Sequence, residues 1–197
     1  MNESQDIEIA RAIEGDLNAQ RFLFEAYYAY VLSISLRYMA SREVAEEVLN
    51  DIFLKVFNKL KLYDKNYPFK AWIRKVAINT CIDRLRSTPK FPNWSELTIH
   101  FMGHLEDEDS DIKVGEMDEQ PFLPVLQKLP PRYRAVFNLY VFEEYTHKEI
   151  GQALGIHEGT AKSNYARAKK IIKQHLEKKR SSSSPATLHF ALNTDNK

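Results

Sequence analysis

Cys81 is the single cysteine in 197 residues, so no intrachain disulfide can brace the chain and nothing points to an oxidising compartment. No run approaches the ~20 consecutive apolar residues that a membrane-spanning helix needs. The opening MNESQDIEIARAIEGD is acidic and lacks the apolar segment of a signal peptide. A protein of the cytoplasm is expected, with Cys81 serving as packing. The pieces of catalysis are missing too: we find no nucleophile–base pair, metal-ligand cluster or glycine-rich phosphate loop. His100 and His104 stand four apart near acids, but further ligands at a suitable spacing are wanting. These absences exclude an enzyme reading and predict no metal, no cofactor and no small-molecule substrate.

Net charge is nearly absent as well, at +1 from 28 basic and 27 acidic side chains. Its distribution is uneven. Residues 1–54 sum to −6, 55–90 to +8, 96–119 to −8 and 128–180 to +7. Two basic blocks are therefore separated by an acidic one, which predicts two polyanion-binding regions on either side of a self-repelling segment.

The second basic block holds the most specific pattern, THKEIGQALGIHEGTAKSNYARAKKIIK, from Thr146 to Lys173. Thr146 and Glu149 have capping-box spacing and predict a helix start. Ile150 and Leu154 provide its apolar stripe, and Gly155 stands where a left-handed residue ends a helix. A second helix begins near Glu158. Ala161, Tyr165, Ala168 and Ile172 fall on one of its faces, and Lys162, Ser163, Ala166, Arg167 and Lys170 on roughly the opposite one. Small residues among cations suit a helix that approaches a polyanion closely. This is the pattern of a helix-turn-helix with a recognition helix for the major groove.

The first basic block is centred on a helix predicted over Phe69 to Arg86. Phe69, Trp72, Ile73, Val76 and Ala77 make one apolar stripe, and Ile78, Ile82 and Leu85 another, so the helix is sandwiched. Two narrow polar strips remain: Lys70 with Arg74, and Lys75 with Asn79 and Arg86. The loop before it, KLKLYDKNYP, adds Tyr63, Lys65 and Tyr67. Cations beside aromatic rings are what unstacked single-stranded nucleic acid requires.

The remaining chain is also read as helical. Ile7, Ala10 and Ile13 align in a short helix over 5–15, and Asn18 to Met39 is apolar nearly all round, so its aromatics Phe22, Phe24, Tyr27, Tyr28 and Tyr30 are expected in a core. Ser41 caps a third helix whose outer face carries Glu43, Glu46, Glu47, Asn50 and Asp51. Periodicity fails from Ser87 to Gln120, where prolines and the run LEDEDSD predict a linker. Pro130 and Pro131 open another helix, and the tail after Arg180 is expected to be disordered. The fold class is all-α: two small helical domains, 1–88 and 121–180, an acidic linker over 89–120, and a tail over 181–197.

AEEVLNDIFLKVF followed by FKAWIRKVAINTCIDRLR resembles region 2 of bacterial RNA polymerase sigma factors of the extracytoplasmic function (ECF) group. LQKLPPRYRAVFNLYVFEEYTHKEIGQALGIHEGTAKSNYARAKKII is similar to their region 4. The resemblance implies that the third helix, through Glu47, Asn50 and Asp51, binds the coiled coil of the largest subunit of core RNA polymerase. It implies that Asn79 and the Leu62 to Pro68 loop, with Tyr63, Lys65 and Tyr67, capture bases of the minus-10 promoter element, while Arg74 and Lys75 take phosphates. It places Lys162, Ser163, Asn164 and Arg167 on base edges of the minus-35 element and Lys170 on its backbone, with the Gly159 and Thr160 amides facing a phosphate. Asn164 stands where arginine is frequent in the family and Ala161 where a larger aliphatic is usual, which leaves the promoter sequence open. The resemblance further implies promoter DNA and an anti-sigma factor as partners, and a linker that threads toward the polymerase cleft. Two other readings fit parts of the chain: a dimeric helix-turn-helix regulator that needs no polymerase, and a polymerase-sequestering protein that needs no DNA.

Overall fold

A computed structural model describes residues 3–87 and 119–182, with side chains from 4 to 87 and from 122 to 178. Among these residues the helices are α1 (Glu3–Ile13), α2 (Leu17–Tyr38), α3 (Arg42–Lys59), α4 (Phe69–Ser87), α5 (Glu119–Lys128), α6 (Pro131–Val141), α7 (His147–Leu154) and α8 (Glu158–Ser182), with a 3-10 turn at Leu60–Leu62. The all-helical expectation holds among these residues.

Local chemistry sets most of the boundaries. The Asp16 carboxylate accepts the amides of Asn18 and Ala19 at 2.8 and 3.2 Å and so starts α2. Ser41 accepts the Val44 amide to start α3. Pro130 precedes α6, whose first residue is a second proline. Helix α2 is the centre of the N-terminal group and packs on α1, α3 and α4. Its inner side places Leu23, Val31, Ile34 and Tyr38 against Val48, Ile52 and Val56 of α3 and Ile73 and Ala77 of α4, all of them buried. Phe24, Tyr27, Tyr28 and Tyr30 are partly buried against this core. Phe22 departs from the expectation: it is 46% exposed. Cys81 is buried, and burial pushes its thiol up to about 12, so it stays protonated and acts as packing.

The C-terminal group packs α6 and α7 against α8, over a core of Val136, Phe137, Leu139, Ile150, Leu154, Ala161, Tyr165 and Ile172. Helix α5 is an element that the periodicity did not signal, and it begins two residues ahead of the expected C-terminal domain. Pro121 and Pro124 argue against a helix in sequence. Pro121, however, lies in the first turn, where no intrahelical amide bond is needed, and Pro124 forfeits one bond. Burial of Phe122, Val125 and Leu126 offsets that loss. The two groups are in contact, because α5 and α6 also lie on α2. The LEDEDSD run, His100, His104 and the tail from 183 onward lie outside the described residues.

Candidate nucleic-acid and polymerase interfaces

Helix α7 starts with the expected capping box: the Thr146 hydroxyl accepts the Glu149 amide, and the Glu149 carboxylate accepts the Thr146 amide at 2.8 Å. It ends at Gly155, left-handed at φ 68°, whose amide bonds the Gly151 carbonyl. The Thr146 hydroxyl and amide hold the Glu149 carboxyl below its ordinary 4.5, and Arg11 together with the Ala19 and Asn18 amides holds Asp16 below 3.8. A lowered folded-state value means that each group's contribution is complete above its ordinary value and is lost as pH falls through the lower one. The urea midpoint should therefore hold steady down to about pH 5 and fall below it. That acid-dependent fall should shrink in an Asp16→Asn, Glu149→Gln double variant; an unchanged fall would disprove the assignment.

At about 100° per residue, Lys162, Ser163, Ala166, Arg167 and Lys170 share one side of α8. Lys162 and Lys170 are exposed, and Ser163, Ala166 and Arg167 are half-buried. The Ser163 hydroxyl donates to the Thr160 carbonyl at 3.1 Å. Asn164 is a correction. It is 4% exposed, because it lies on the flank beside Ala168, where α8 meets its neighbours, and not on the exposed side with Lys162 and Lys170. The amides expected to face a phosphate are occupied as well: Gly159 donates to His157 Nδ1 at 3.1 Å and Thr160 to the His157 carbonyl at 2.9 Å. His157 thus caps α8, a role that the sequence signals only by its position just ahead of the helix.

On α4, Lys75 and Asn79 point to solvent, as do Lys65 and Tyr67 in the preceding loop, and Tyr67 is 65% exposed. The loop is pinned from within, as Asp64 Oδ1 accepts the Asn66 amide at 3.0 Å and the Tyr63 hydroxyl donates to the Tyr67 carbonyl at 2.6 Å. Tyr63 is the third correction. It is 9% exposed and its ring packs edge-on to Phe69, 5.0 Å away, so it holds the loop and offers no stacking face. Arg74 is half-buried and engaged elsewhere: its Nε donates to Glu143 Oε2 at 2.6 Å and its Nη2 to the Phe142 carbonyl at 2.5 Å. The Glu143 carboxylate holds the Arg74 pKa above its ordinary value.

On α3, Glu47, Asn50 and Asp51 are all exposed on one side. Glu47 accepts from Arg84 Nη2 at 2.8 Å. Leu54, one turn beyond Asn50, is 63% exposed and joins this face. Sequence reasoning missed it because an isolated leucine in a helix reads as core.

No helix among the described residues is long and apolar enough to cross a membrane, and these residues contain no group of side chains suited to a metal.

Comparison with known proteins identifies the family of the chain. The family model described as Sigma-70 region 2 matches residues 23–90, and that described as Sigma-70, region 4 matches residues 121–172. The ECF RNA polymerase sigma factor SigW of Bacillus subtilis is 26% identical over 182 residues, covering 85% of this chain and 94% of its own. The RNA polymerase sigma-H factor of Pseudomonas aeruginosa is 24% identical, covering 90% and 96%. Among solved structures, RpoE of Bartonella quintana in complex with the anti-sigma factor NepR is 18% identical at a TM-score of 0.48, covering 80% of this chain and 96% of that one. CnrH in complex with the cytosolic domain of CnrY is 17% identical at 0.46, covering 87% and 96%. With both regions matched in order, the chain belongs to the sigma-70 family of RNA polymerase sigma factors, in its ECF group.

Proposed function

We propose that the exposed faces divide the work of a sigma factor among them. The protein directs RNA polymerase to promoters for transcription initiation and carries no catalytic chemistry of its own. The face of α3 formed by Glu47, Asn50, Asp51 and Leu54 takes the coiled coil of the largest polymerase subunit. Its acidic rim suits a basic partner, and Leu54 supplies an apolar anchor.

The minus-35 element is read by α8. Lys162, Ser163 and Arg167 address base edges in the major groove, and Lys170 neutralises backbone charge. The minus-10 element is captured as single strand by α4 and its loop. Tyr67 stacks on an unpaired base, Asn79 bonds a base edge, and Lys65, Lys75 and Arg74 follow the phosphates. Drawing a base out of the duplex costs a few kcal/mol, and stacking on an aromatic ring returns about 1–3 kcal/mol per base. Capture thus needs several contacts at once, which a complex on core polymerase supplies. An anti-sigma factor is the regulatory partner that this reading implies, as NepR is for its RpoE partner.

The observation that carries the proposal is the pairing of a cation-lined α8 with a second cation-and-aromatic surface on α4, each within its matched family region. Run-off transcription from a genomic promoter library, using purified core polymerase with and without the protein, tests it. Discrete transcripts should appear only with the wild-type chain. Arg167→Glu should reduce them at least tenfold, since a bidentate base contact is worth about 1–3 kcal/mol. A protein that shifts DNA on its own and supports no transcript would overturn the reading in favour of a free-standing regulator.

A further inference from the structure

One aromatic residue of α2 stays outside the core. Phe22 is 46% exposed, and with Ala26 and Tyr30 it falls on one side of the helix, at i, i+4 and i+8. Ala26 is exposed and Tyr30 half-buried. At 1.5 Å per residue the two aromatic residues stand about 12 Å apart along the axis, with only a methyl group between them. The stripe therefore carries a notch, floored by Ala26 and bounded at each end by a ring.

This notch belongs to a cleft of about 300 Å³ where α2 meets α1 and the start of α4. Such a volume is at the lower end for a small-ligand site and suits one flat ring with its sugar. The polar groups in the cleft are few and they converge. The Gln5 amide of α1 donates to the Tyr27 hydroxyl, and a hydroxyl that accepts in this way keeps its own hydrogen to donate. Burial holds the Tyr27 phenol above its ordinary value, so that hydrogen is retained at neutral pH. Lys70, exposed in the first turn of α4, rests its ammonium over the Tyr30 ring, 4.6 Å from the centre. A cation held by a ring instead of a carboxylate leaves readily for a phosphate. None of the described residues lining the cleft is acidic.

The cleft adjoins the surface assigned to the minus-10 strand. Lys70 follows Tyr67 by three residues and shares a strip of α4 with Arg74. Behind the cleft the Tyr27 ring packs edge-on to Phe69 at 5.4 Å, and Phe69 edge-on to Tyr63 at 5.0 Å. The α2 wall is thereby braced against the loop that carries Tyr67. Aromatic faces, a cation and hydrogen-bonding groups in one notch are what an unstacked base requires.

We propose that the cleft is a second base slot: a nucleobase of the unpaired non-template strand, next along from those at Tyr67 and Asn79, enters over Ala26 and lies against Phe22 and Tyr30. The Tyr27 hydroxyl donates to an acceptor on its edge, and Lys70 leaves the Tyr30 ring for its phosphate. The slot rests on the reading of region 2 as the single-strand surface, and it extends that surface from α4 onto α2.

The test uses holoenzyme reconstituted from core polymerase and the full chain. Its probe is a single-stranded non-template oligonucleotide of about 12 nucleotides, carrying the minus-10 element mapped from the run-off start sites, with 2-aminopurine or an abasic site at each position in turn. One position outside those that respond to Tyr67→Ala and Asn79→Ala should show a quenching that Phe22→Ala removes. Phe22→Ala, and independently Ala26→Phe, which fills the notch at an exposed helix position, should weaken binding of the intact strand about tenfold, the loss of one stacked base. With the abasic site at that position both variants should bind like the wild type, which a general loss of folding would not produce. A loss of equal size on intact and abasic strands, or no loss at all, would overturn the slot. So would a fall in affinity for core polymerase with oligonucleotide binding by the saturated holoenzyme unchanged, which would give the cleft to the polymerase. If the wild-type holoenzyme does not prefer this oligonucleotide to a scrambled one, the sigma reading falls and the slot with it. If it does and the variants match it, only the slot is refuted.

Discussion

A Gly151→Val chain should lose promoter-directed transcription about 100-fold while its N-terminal region stays folded. Gly151 lies inside α7, buried, and a Cβ placed there would sit 2.7 Å from the Ile156 carbonyl oxygen and 3.4 Å from the Glu158 amide nitrogen. Both are backbone atoms of the turn and of the first residue of α8, so no side chain can rotate away to make room. The same glycine's carbonyl accepts the amides of Gly155 and Ile156, which ties the turn to α7. Adding even one methyl group drives α8 off α7, at a cost of about 1–3 kcal/mol for overpacking. Valine adds two further methyl groups to that Cβ, and a small helical region has little stability in reserve. The recognition side chains of α8 then lose their position against the groove, as each base contact depends on placement to a fraction of an ångström. Thermal unfolding followed by circular dichroism should show an early transition of the C-terminal group, and run-off transcription should fall with it. A Gly151→Val protein with wild-type melting and full transcription would show that the close approach is of no consequence.

The second large effect is expected on α3. Asp51→Lys combined with Leu54→Asp should weaken binding to core polymerase about 100-fold, through loss of an apolar anchor worth at least ~2 kcal/mol where it is fully buried by the partner and through like-charge repulsion against a basic surface. Both side chains are exposed in the free protein. Free stability should therefore change by no more than about 0.5 kcal/mol. That contrast is the diagnostic, since an affinity lost with an unchanged melting curve locates the effect at an interface. A titration of labelled protein with purified core polymerase measures it directly. Retention of wild-type affinity would move the polymerase contact elsewhere, and the acidic side of α3 would then serve only solubility.

How far the sequence alone reaches is decided residue by residue. The start of α7 at Thr146, its end at Gly155 and the start of α3 at Ser41 were legible because a cap is a matter of a few consecutive residues. The pairing of region 2 with region 4 was equally legible, as each motif lies within one contiguous stretch. The exposed cations of α8 and the acidic side of α3 followed from helical periodicity. Periodicity divides a helix into sides, however, and does not say how wide the covered side is. Asn164 and Tyr63 sit near that border, and neighbouring elements, α8's own packing partners in one case and Phe69 in the other, bring both inside. The Gly159 and Thr160 amides look available in sequence because the side chain that takes one of them, His157, carries no strong capping signal. Helix α5 was hidden by prolines whose cost is offset only once Phe122 and Leu126 find a core to enter. Arg74 was recognised as a cation with work to do, but its partner is Glu143, distant in sequence. The sequence therefore determined every helix but α5, the caps at Ser41, Thr146 and Gly155, and the identity of the two regions, all of which rest on short-range chemistry. Only the tertiary structure decided which of the candidate side chains are exposed and which are buried, because burial depends on contacts between residues far apart along the chain.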